Sequence, residues 1–275
     1  MKKLYILLVF CIAMMAIGDG FAQRSKQKHR GKHKTHKVTK KKKRSKKKTA
    51  RFEPIPDPRL LDPDYDPYLQ CEDTCNHVHG IDLSHYQGEV FWETVGEKTK
   101  MSYVYLKATE GGDRIDSQYE RNIDLAHRHG LKVGSYHFFR PTVNLYSQLQ
   151  NFMTQCLPGE QDLIPMLDVE TTGKLSDREF CDSLHKFLDM LEGAYNQKPL
   201  VYTYRNFYNE HLVGQLSEYH LMVAMYADEP PVLADKRDYI IWQYTCKGRI
   251  LGVSGEVDKS CLMGDHELRE LRFIH

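Results

Sequence analysis

Short apolar runs and helical patterns alternate along residues 79–245. The apolar runs have strand length, and the segments between several of them repeat apolar residues at helical spacing. Seven strands are predicted: HGIDLSHY, SYVYLKAT, KVGSYHFF, LIPMLDVE, PLVYTY, LMVAMY and YIIWQYT. Five helices are predicted among them: FWETVGEKT, DSQYERNIDLAHRHG, NLYSQLQNFMTQCL, SDREFCDSLHKFLDMLEGAYN and NFYNEHLV. This alternation favours a parallel sheet covered by helices, closed into a barrel at this length.

The longest predicted helix, residues 176–196, carries the strongest local signals. Ser176 and Glu179 form a capping-box pattern at its start. Apolar residues then recur at helical spacing, at Phe180, Leu184, Phe187, Leu188, Leu191 and Tyr195. The last three strands, by contrast, lack long intervening helices. The predicted fold is therefore an incomplete TIM-like barrel of the α/β class.

The segment LIPMLDVE places two carboxylates, Asp168 and Glu170, two residues apart at the end of an otherwise apolar run. In a strand, the side chains of residues i and i+2 point to the same face. Mutual repulsion and partial burial both disfavour the charged form, so one of the two carboxyl groups is expected to hold its proton unusually well. A pair of this kind is useful for acid/base chemistry.

Other predicted strands also carry polar or aromatic residues suited to a site. Chemistry in β/α barrels takes place at the carboxyl ends of the strands, so these residues are expected to surround one mouth. They are Asp82, Tyr136, Tyr202, Trp242, Gln243 and, near the last strand, Asp258. Carboxylates combined with aromatic faces that stack on sugar rings suit a carbohydrate. Tyr202 and Trp242 also fit a core role, and His137 fits a packed, hydrogen-bonded histidine better than a base.

The N-terminal segment, residues 1–22, has the composition of a signal peptide. Lys2 and Lys3 precede an apolar stretch, and small residues follow at Gly20 and Ala22. The apolar stretch is shorter than the roughly 20 residues of a membrane-spanning helix. The mature protein is therefore expected to be exported, either to the periplasm or outside the cell.

A basic arm and a linker are predicted to precede the folded domain, which spans residues 71–275. The arm, residues 23–51, contains 16 Lys or Arg and no acid, and its scarcity of apolar residues predicts disorder. The linker, residues 52–70, is rich in Pro and Asp and is predicted to be semi-stiff. Beyond residue 51, 21 basic residues stand against 36 acids, a formal charge of −15. The arm is expected to bind anionic envelope polymers, with nucleic acid as the alternative polyanion.

Six cysteines follow the predicted signal peptide. An even number in an exported protein permits three disulfides, and pairing of sequence neighbours would join Cys71 to Cys75, Cys156 to Cys181, and Cys246 to Cys261. A zinc site is the competing interpretation, but no CxxC spacing occurs. The histidine pairs in HVH, residues 77–79, and HRH, residues 127–129, lack a third ligand in register. Exposed or structural roles are favoured for them.

Seven segments in order, GIDLSHYQG, YLKATEGG, GSYHFF, LDVE, VYTY, WQYT and GVSGEVD, closely resemble glycoside hydrolase family 25, the muramidases often called Chalaropsis-type lysozymes. The match covers roughly residues 78–264. The resemblance implies an incomplete barrel with five β/α units followed by three further strands. It implies cleavage of the β-1,4 bond between N-acetylmuramic acid and N-acetylglucosamine in peptidoglycan. No metal, no cofactor and no specific protein partner are implied.

The resemblance also suggests roles for the site residues. Glu170 matches the general acid, and Asp168 beside it is expected to supply part of the rise in the pKa of Glu170. Asp82 and Asp258 match further carboxylates that orient water or stabilise positive charge at the sugar. Direct attack by water and participation of the substrate's N-acetyl group both remain open, because the choice depends on carboxylate separations. The residues expected to shape the substrate site are Tyr136, Tyr202, Trp242 and Gln243.

Two alternative functions fit parts of the pattern. One is another N-acetylhexosaminidase, such as a chitinase of family 18, although the longer D-x-x-D-x-D-x-E signature of that family is absent. The other is a non-catalytic peptidoglycan-binding module in which the basic arm is the functional part. The leading hypothesis is an exported lysozyme that its arm holds near anionic envelope polymers.

Overall fold

The computed structural model of the protein describes residues 76–275. The predicted signal peptide, basic arm and linker lie outside these residues, as do Cys71 and Cys75. The described residues form one nine-stranded sheet: β1 (His79–Leu83), β2 (Met101–Glu110), β3 (Arg114–Ile115), β4 (Lys132–Phe138), β5 (Met166–Asp168), β6 (Leu200–Tyr204), β7 (Leu221–Ala224), β8 (Ile241–Gly248) and β9 (Val257–Leu262).

Eight of these strands close into a ring. The order is β1, β9, β8, β7, β6, β5, β4 and β2, and β2 pairs again with β1. The pairs from β1 through β2, β4, β5, β6 and β7 to β8 are parallel. Only β9 runs antiparallel to both of its neighbours in the ring, β8 and β1. Outside the ring, the short strand β3 pairs with β2 in antiparallel direction. The strand that closes the barrel therefore begins where its neighbours end.

In chain order, one helix follows each of the ring strands β1, β2, β4, β5 and β6. These helices are α1 (Trp92–Lys98), α2 (Tyr119–Arg128), α3 (Leu145–Met153), α4 (Asp177–Tyr195) and α5 (Arg205–Phe207), which continues into a π-helical turn at Tyr208–Leu212. Strands β7, β8 and β9 then follow one another without an α-helix. The prediction of five β/α units followed by three further strands is confirmed. None of the helices in residues 76–275 has the length and apolar character needed to cross a membrane.

Helix α4 shows how the local sequence fixes the scaffold. The Ser176 hydroxyl accepts the Glu179 N–H at 3.4 Å, and the Glu179 carboxylate accepts the Ser176 N–H at 3.0 Å, so the predicted capping box forms. The helix ends at Asn196, which adopts a left-handed conformation with φ 54°. The six apolar residues predicted for its inner face are all buried. This packing fixes the connection from β5 to α4, which contains Glu170.

Along each barrel strand, successive side chains point alternately into one of two apolar cores. One core fills the barrel interior, and the other lies between the strands and the helices. On β6, for example, Leu200 and Tyr202 face the interior while Val201 faces the helices. The members of the interior core include Tyr103, Tyr105, Met166, Leu200, Met222, Ile241 and Leu262.

Two tyrosines fill the interior because the strands beside them carry glycine. Gly80 pairs with Tyr103, and a Cβ atom at Gly80 would lie 2.2 Å from the tyrosine ring. Gly134 pairs with Tyr105, and a Cβ atom there would lie 2.3 Å from the ring. The Tyr103 hydroxyl lies 2.9 Å from the Ser260 hydroxyl, and the Tyr105 hydroxyl donates to the Ile164 carbonyl at 3.2 Å. Both buried hydroxyl groups are thus hydrogen-bonded.

Two of the predicted disulfides are wrong, since neither Cys156 with Cys181 nor Cys246 with Cys261 is joined in the described residues. Cys156 lies beside the C-terminal end of α4, where its carbonyl accepts a hydrogen bond from the Tyr195 hydroxyl. Cys181 lies near the N-terminal end of the same helix, about 21 Å from Tyr195 along the helix axis. Cys261 pairs with Trp242 across β8 and β9. Cys246 is four residues further along β8, roughly 13 Å away and too far for a disulfide. The third predicted pair, Cys71 with Cys75, lies outside the described residues.

Candidate active site

A cleft at the carboxyl end of the parallel strands gathers most of the predicted site residues. Its central cavity encloses about 220 Å³. Seven of the eight predicted residues line it: Asp82, Tyr136, Asp168, Glu170, Tyr202, Gln243 and Asp258. Residues separated by much of the sequence therefore converge on one opening, as barrel topology requires.

Asp168 and Glu170 share the inner face of the barrel at the end of β5. Asp168 is the last residue of the strand and pairs with Phe138 on one side and Tyr202 on the other. Glu170 follows two residues later, half-buried, at the opening. The intervening Val169 points outward into the apolar core. The predicted placement of both carboxylates on one face is confirmed.

Asp82 and Asp258 lie directly opposite each other on the antiparallel strands β1 and β9. Asp82 is near the C-terminal end of β1, whereas Asp258 is the second residue of β9. An antiparallel strand presents its N-terminal residues at the edge where its parallel neighbours present their C-terminal ones. The reversed direction of β9 is thus the reason that Asp258 reaches the mouth.

Burial raises the pKa values of this cross-strand pair to different extents. For Asp82, burial and the nearby Asp258 carboxylate outweigh a hydrogen bond from Gln243, and the pKa rises to about 8. For Asp258, burial raises the pKa to about 6. At neutral pH, Asp258 is therefore the ionised member of the pair, and Asp82 keeps its proton.

The other pair of carboxylates is also shifted toward its protonated form. Burial, followed by repulsion from Glu170, raises the pKa of Asp168 well above its usual range. Burial and the charge of Asp258 raise the pKa of Glu170, against an opposing effect of Lys107. The charge that adds to burial at Glu170 is that of Asp258, whereas the repulsion between Asp168 and Glu170 raises the pKa of Asp168.

A hydrogen-bonded network orients Asp82 within the cleft. The side-chain N–H of Gln243 donates to Asp82 Oδ2 at 2.9 Å, and this bond directs the Oε1 atom of Gln243 toward two tyrosines. The hydroxyl groups of Tyr202 and Tyr226 donate to Gln243 Oε1 at 3.0 and 3.1 Å. Tyr226 was not predicted, although its place just after the apolar run LMVA is a signal that could have identified it.

Trp242 is the one predicted site residue that the structure does not bring into the cleft. Its indole lies in the core between strands and helices, because it alternates with the inward-facing Ile241 and Gln243 on β8. The indole N–H donates to the Met225 carbonyl at 2.9 Å. Trp242 thus supports the segment after β7 from behind.

Comparisons with known proteins agree with this geometry. The family model described as glycosyl hydrolases family 25 matches residues 81–253, which is more than half of the chain. The chain belongs to glycosyl hydrolase family 25.

Several relatives are similar to this family 25 protein along most of its folded part. The uncharacterized protein YegX of Escherichia coli (strain K12) is 32% identical over 194 residues, covering 69% of this chain and 71% of YegX. The autolytic lysozyme of Clostridium acetobutylicum is 34% identical over 184 residues, covering 66% of this chain and 54% of that lysozyme. Lysozyme M1 of Streptomyces globisporus is 28% identical and covers 68% of each chain.

Solved structures show the same fold. A family 25 glycosyl hydrolase from Bacillus anthracis superposes with a TM-score of 0.65 at 25% identity, covering 72% of this chain and 94% of the other. The bacterial lysozyme of Streptomyces coelicolor gives 0.64 at 27% identity, covering 71% and 95%. Together with the family match, these similarities establish the chain as a glycoside hydrolase of the muramidase family.

One wall of the family 25 cleft is held by an ion-pair cluster. Lys107 donates to Glu110 Oε2 at 2.9 Å, while Arg114 and Arg140 donate to Oε1 at 2.6 and 2.7 Å. Burial alone would raise the pKa of Glu110, but its bonds with Lys107 and Arg140 outweigh that effect and lower the pKa to about 2. Glu110 is therefore a fixed anion that holds Lys107 at the cleft.

His137 is a structural histidine. Its Nδ1 lies 2.7 Å from the Thr109 hydroxyl and its Nε2 lies 3.2 Å from Gln148 Oε1. The ring is buried against Phe152 and Phe187, and this burial lowers its pKa to about 4. The prediction that it is a packed, hydrogen-bonded histidine is confirmed.

Proposed function

We propose that this protein is an exported lysozyme that hydrolyses the β-1,4 bond between N-acetylmuramic acid and N-acetylglucosamine in peptidoglycan. The observation that carries the proposal is the convergence of four carboxylates, Asp82, Asp168, Glu170 and Asp258, on one cleft in a family 25 barrel. Two of the relatives named above are called lysozymes, which supports the same substrate class.

Glu170 is proposed as the general acid. It is half-buried at the opening, where a glycosidic oxygen can approach it, and burial together with Asp258 raises its pKa. It donates its proton to the departing oxygen as the bond to the sugar breaks. The sugar ring then carries developing positive charge, which a second group in the cleft must stabilise.

Asp258 is proposed as the charged partner of this acid. With a pKa of about 6 it is ionised at neutral pH, so its carboxylate stabilises positive charge on the sugar or orients the attacking water. Asp82, with a pKa of about 8, keeps its proton at neutral pH, and burial also raises the pKa of Asp168, so both are proposed to serve as hydrogen-bonding groups. Tyr136, Tyr202 and Gln243 line the same cavity and are proposed to shape the substrate site, with Trp242 supporting the wall.

The products of digestion test the proposed bond. Purified peptidoglycan is digested with the protein, the new reducing ends are reduced with borohydride, and the fragments are weighed by mass spectrometry. New ends that derive from N-acetylmuramic acid are expected. New ends that derive from N-acetylglucosamine, or digestion of chitin in place of peptidoglycan, would contradict the proposal and favour the chitinase-like alternative.

The proposed export and arm function have separate tests. Mature protein recovered from outside the cytoplasm should begin at residue 23, and a retained N-terminus in exported material would contradict the predicted cleavage. Deleting residues 24–51 should weaken retention on isolated envelopes at low salt, with little effect on soluble fragments. Retention that is independent of salt would contradict electrostatic binding by the arm.

A further inference from the structure

A second cavity adjoins the cleft on the other side of Glu170. It encloses about 330 Å³, and Glu170 and Tyr202 line both cavities. The remaining walls come from the end of β6 and the start of α5, and from the end of β7 and the segment that follows it. The proposed acid therefore stands at the junction of two cavities, so a substrate cleaved there extends into both.

Two tyrosines present partly exposed rings to this second cavity. Tyr204 is 39% exposed, and its ring centroid lies 5.6 Å from that of Phe207. Tyr226 is 54% exposed, and its hydroxyl is held by Gln243 at 3.1 Å. Rings that are fixed and accessible in this way offer apolar faces to a sugar or to an attached group.

Arg205 is the cationic side chain among the residues that line the second cavity. Its Nε donates to the Val232 carbonyl at 3.4 Å and its Nη1 to the Asn206 side chain at 3.2 Å. No carboxylate of residues 76–275 forms a salt bridge with it. Lys107 in the first cavity differs, because its ammonium group is bonded to Glu110 at 2.9 Å. Arg205 thus has a charge and an unused Nη2 to offer to a ligand.

The chemistry of the polymer supplies a matching group. Among β-1,4-linked N-acetylated glycans, muramic acid is distinguished by a lactyl ether that ends in a carboxylate or in a peptide that bears carboxylates. Arginine is well suited to carboxylates because its planar guanidinium group donates paired hydrogen bonds. A glycan without the lactyl ether, such as chitin, offers no such partner.

We infer that Arg205 binds a carboxylate carried by the lactyl ether of muramic acid, so that the second cavity selects muramic-acid glycans over chitin. The inference rests on the proposed function and deepens it, since it assigns the specificity of the same site. Arg205 contributes to substrate binding, whereas Glu170 protonates the glycosidic oxygen.

Steady-state kinetics of Arg205→Gln test the inference. The substrates are soluble glycan strands with their peptides, and the same strands after an amidase has removed the peptides and left bare lactyl carboxylates. Losing one charge-assisted contact should raise KM about tenfold and change kcat by less than about twofold. Arg205→Lys, which keeps the charge but not the paired geometry, should raise KM less. The matched control is Arg178→Gln, on α4, where the side chain is 91% exposed.

Each outcome decides the question. A rise in KM on peptide-bearing strands alone places the carboxylate on the peptide, and a rise on bare strands places it on the lactyl group. An unchanged KM for both Arg205 variants on both substrates overturns the inference, as does a loss confined to kcat. If Arg205→Gln fails to fold, Arg205→Lys carries the test by the same criteria. Wild-type protein that cleaves neither substrate overturns the proposed function instead.

Discussion

The mouth of the barrel and its interior are built from the same strands but differ in whether their buried polar groups are hydrogen-bonded. In the interior, the hydroxyl groups of Tyr103 and Tyr105 are hydrogen-bonded to Ser260 and to the Ile164 carbonyl. At the mouth, Asp82 Oδ1 and Asp168 Oδ1 are buried without a hydrogen-bond partner among the described residues. Native proteins rarely leave buried polar atoms unsatisfied.

On a single strand, one residue can therefore contribute to the packing of the interior and another to the chemistry of the mouth. On β1, Gly80 makes room for a packed tyrosine, and two residues later Asp82 occupies the mouth with a pKa of about 8. The interior is arranged to be filled, whereas the mouth holds carboxyl groups in a state that is unfavourable for folding and useful for proton transfer. Changes at the mouth should therefore affect activity and pH dependence, and changes in the interior should affect stability.

Apart from removal of the proposed acid itself, the largest expected effect is on activity, from Asp258→Asn at the mouth. Loss of the Asp258 carboxylate should lower kcat/KM by roughly 10²-fold, because the charged partner of the acid is gone. It should also lower the pKa of Glu170, since Asp258 helps to raise it. The alkaline limb of the pH–activity profile, where the acid loses its proton, should move to lower pH. An unchanged profile would contradict the pairing.

Asp82→Asn should change how stability depends on pH. Between its unfolded value of 3.8 and its folded value of about 8, the unfolded state has released the proton of Asp82 while the folded state has kept it. Stability therefore falls as pH rises through this window, by up to about 1.4 kcal/mol per pH unit. Chemical denaturation at pH 5, 6 and 7 should show a shallower fall for the variant. Asp182→Asn, at an exposed position on α4, is the control and should match the wild type.

Gly134→Ala tests the interior. The added methyl group would lie 2.3 Å from the ring of Tyr105, so the variant should lose about 1–3 kcal/mol of unfolding free energy. Activity per folded molecule should be retained at temperatures where the variant is folded. Gly159→Ala is the matched control, because nothing lies within 4 Å of its added methyl group. Equal stability of the two variants would contradict the close packing described for the interior.

Lys107→Met should produce the smallest effect and one of opposite direction to Asp258→Asn. Lys107 lowers the pKa of Glu170, so its removal should move the alkaline limb of the activity profile to higher pH. Glu110 keeps Arg114 and Arg140 as partners, so the variant should fold. A shift to lower pH would show that Lys107 acts on another group.

Local sequence signals predicted the scaffold and part of the mouth. The capping box at Ser176 and the apolar face of α4 depend only on neighbouring residues, and both are present. The shared face of Asp168 and Glu170 follows from strand alternation alone. The same rule applied to Trp242 would have directed it away from Gln243, and therefore out of the cleft.

Long-range features were harder to predict from the sequence. The strand VDKSCL mixes polar and apolar residues, so it has no clear strand pattern, and the position of Asp258 opposite Asp82 depends on pairing across the whole chain. The disulfide prediction failed for a similar reason, because proximity in sequence does not give proximity across a barrel. The pKa of Glu170 is likewise raised by burial within the barrel mouth and by Asp258, 88 positions later in the sequence.

Glu170→Gln tests whether Glu170 supplies the proton for glycosidic cleavage. The measurement is the initial rate of reducing-sugar release from purified peptidoglycan, with Glu97→Gln at an exposed position on α1 as the control. We expect a loss of roughly 10³-fold for Glu170→Gln, with unfolding free energy and peptidoglycan binding preserved, and wild-type rates for the control. Release by Glu170→Gln at a rate close to that of the wild type would contradict this role of Glu170.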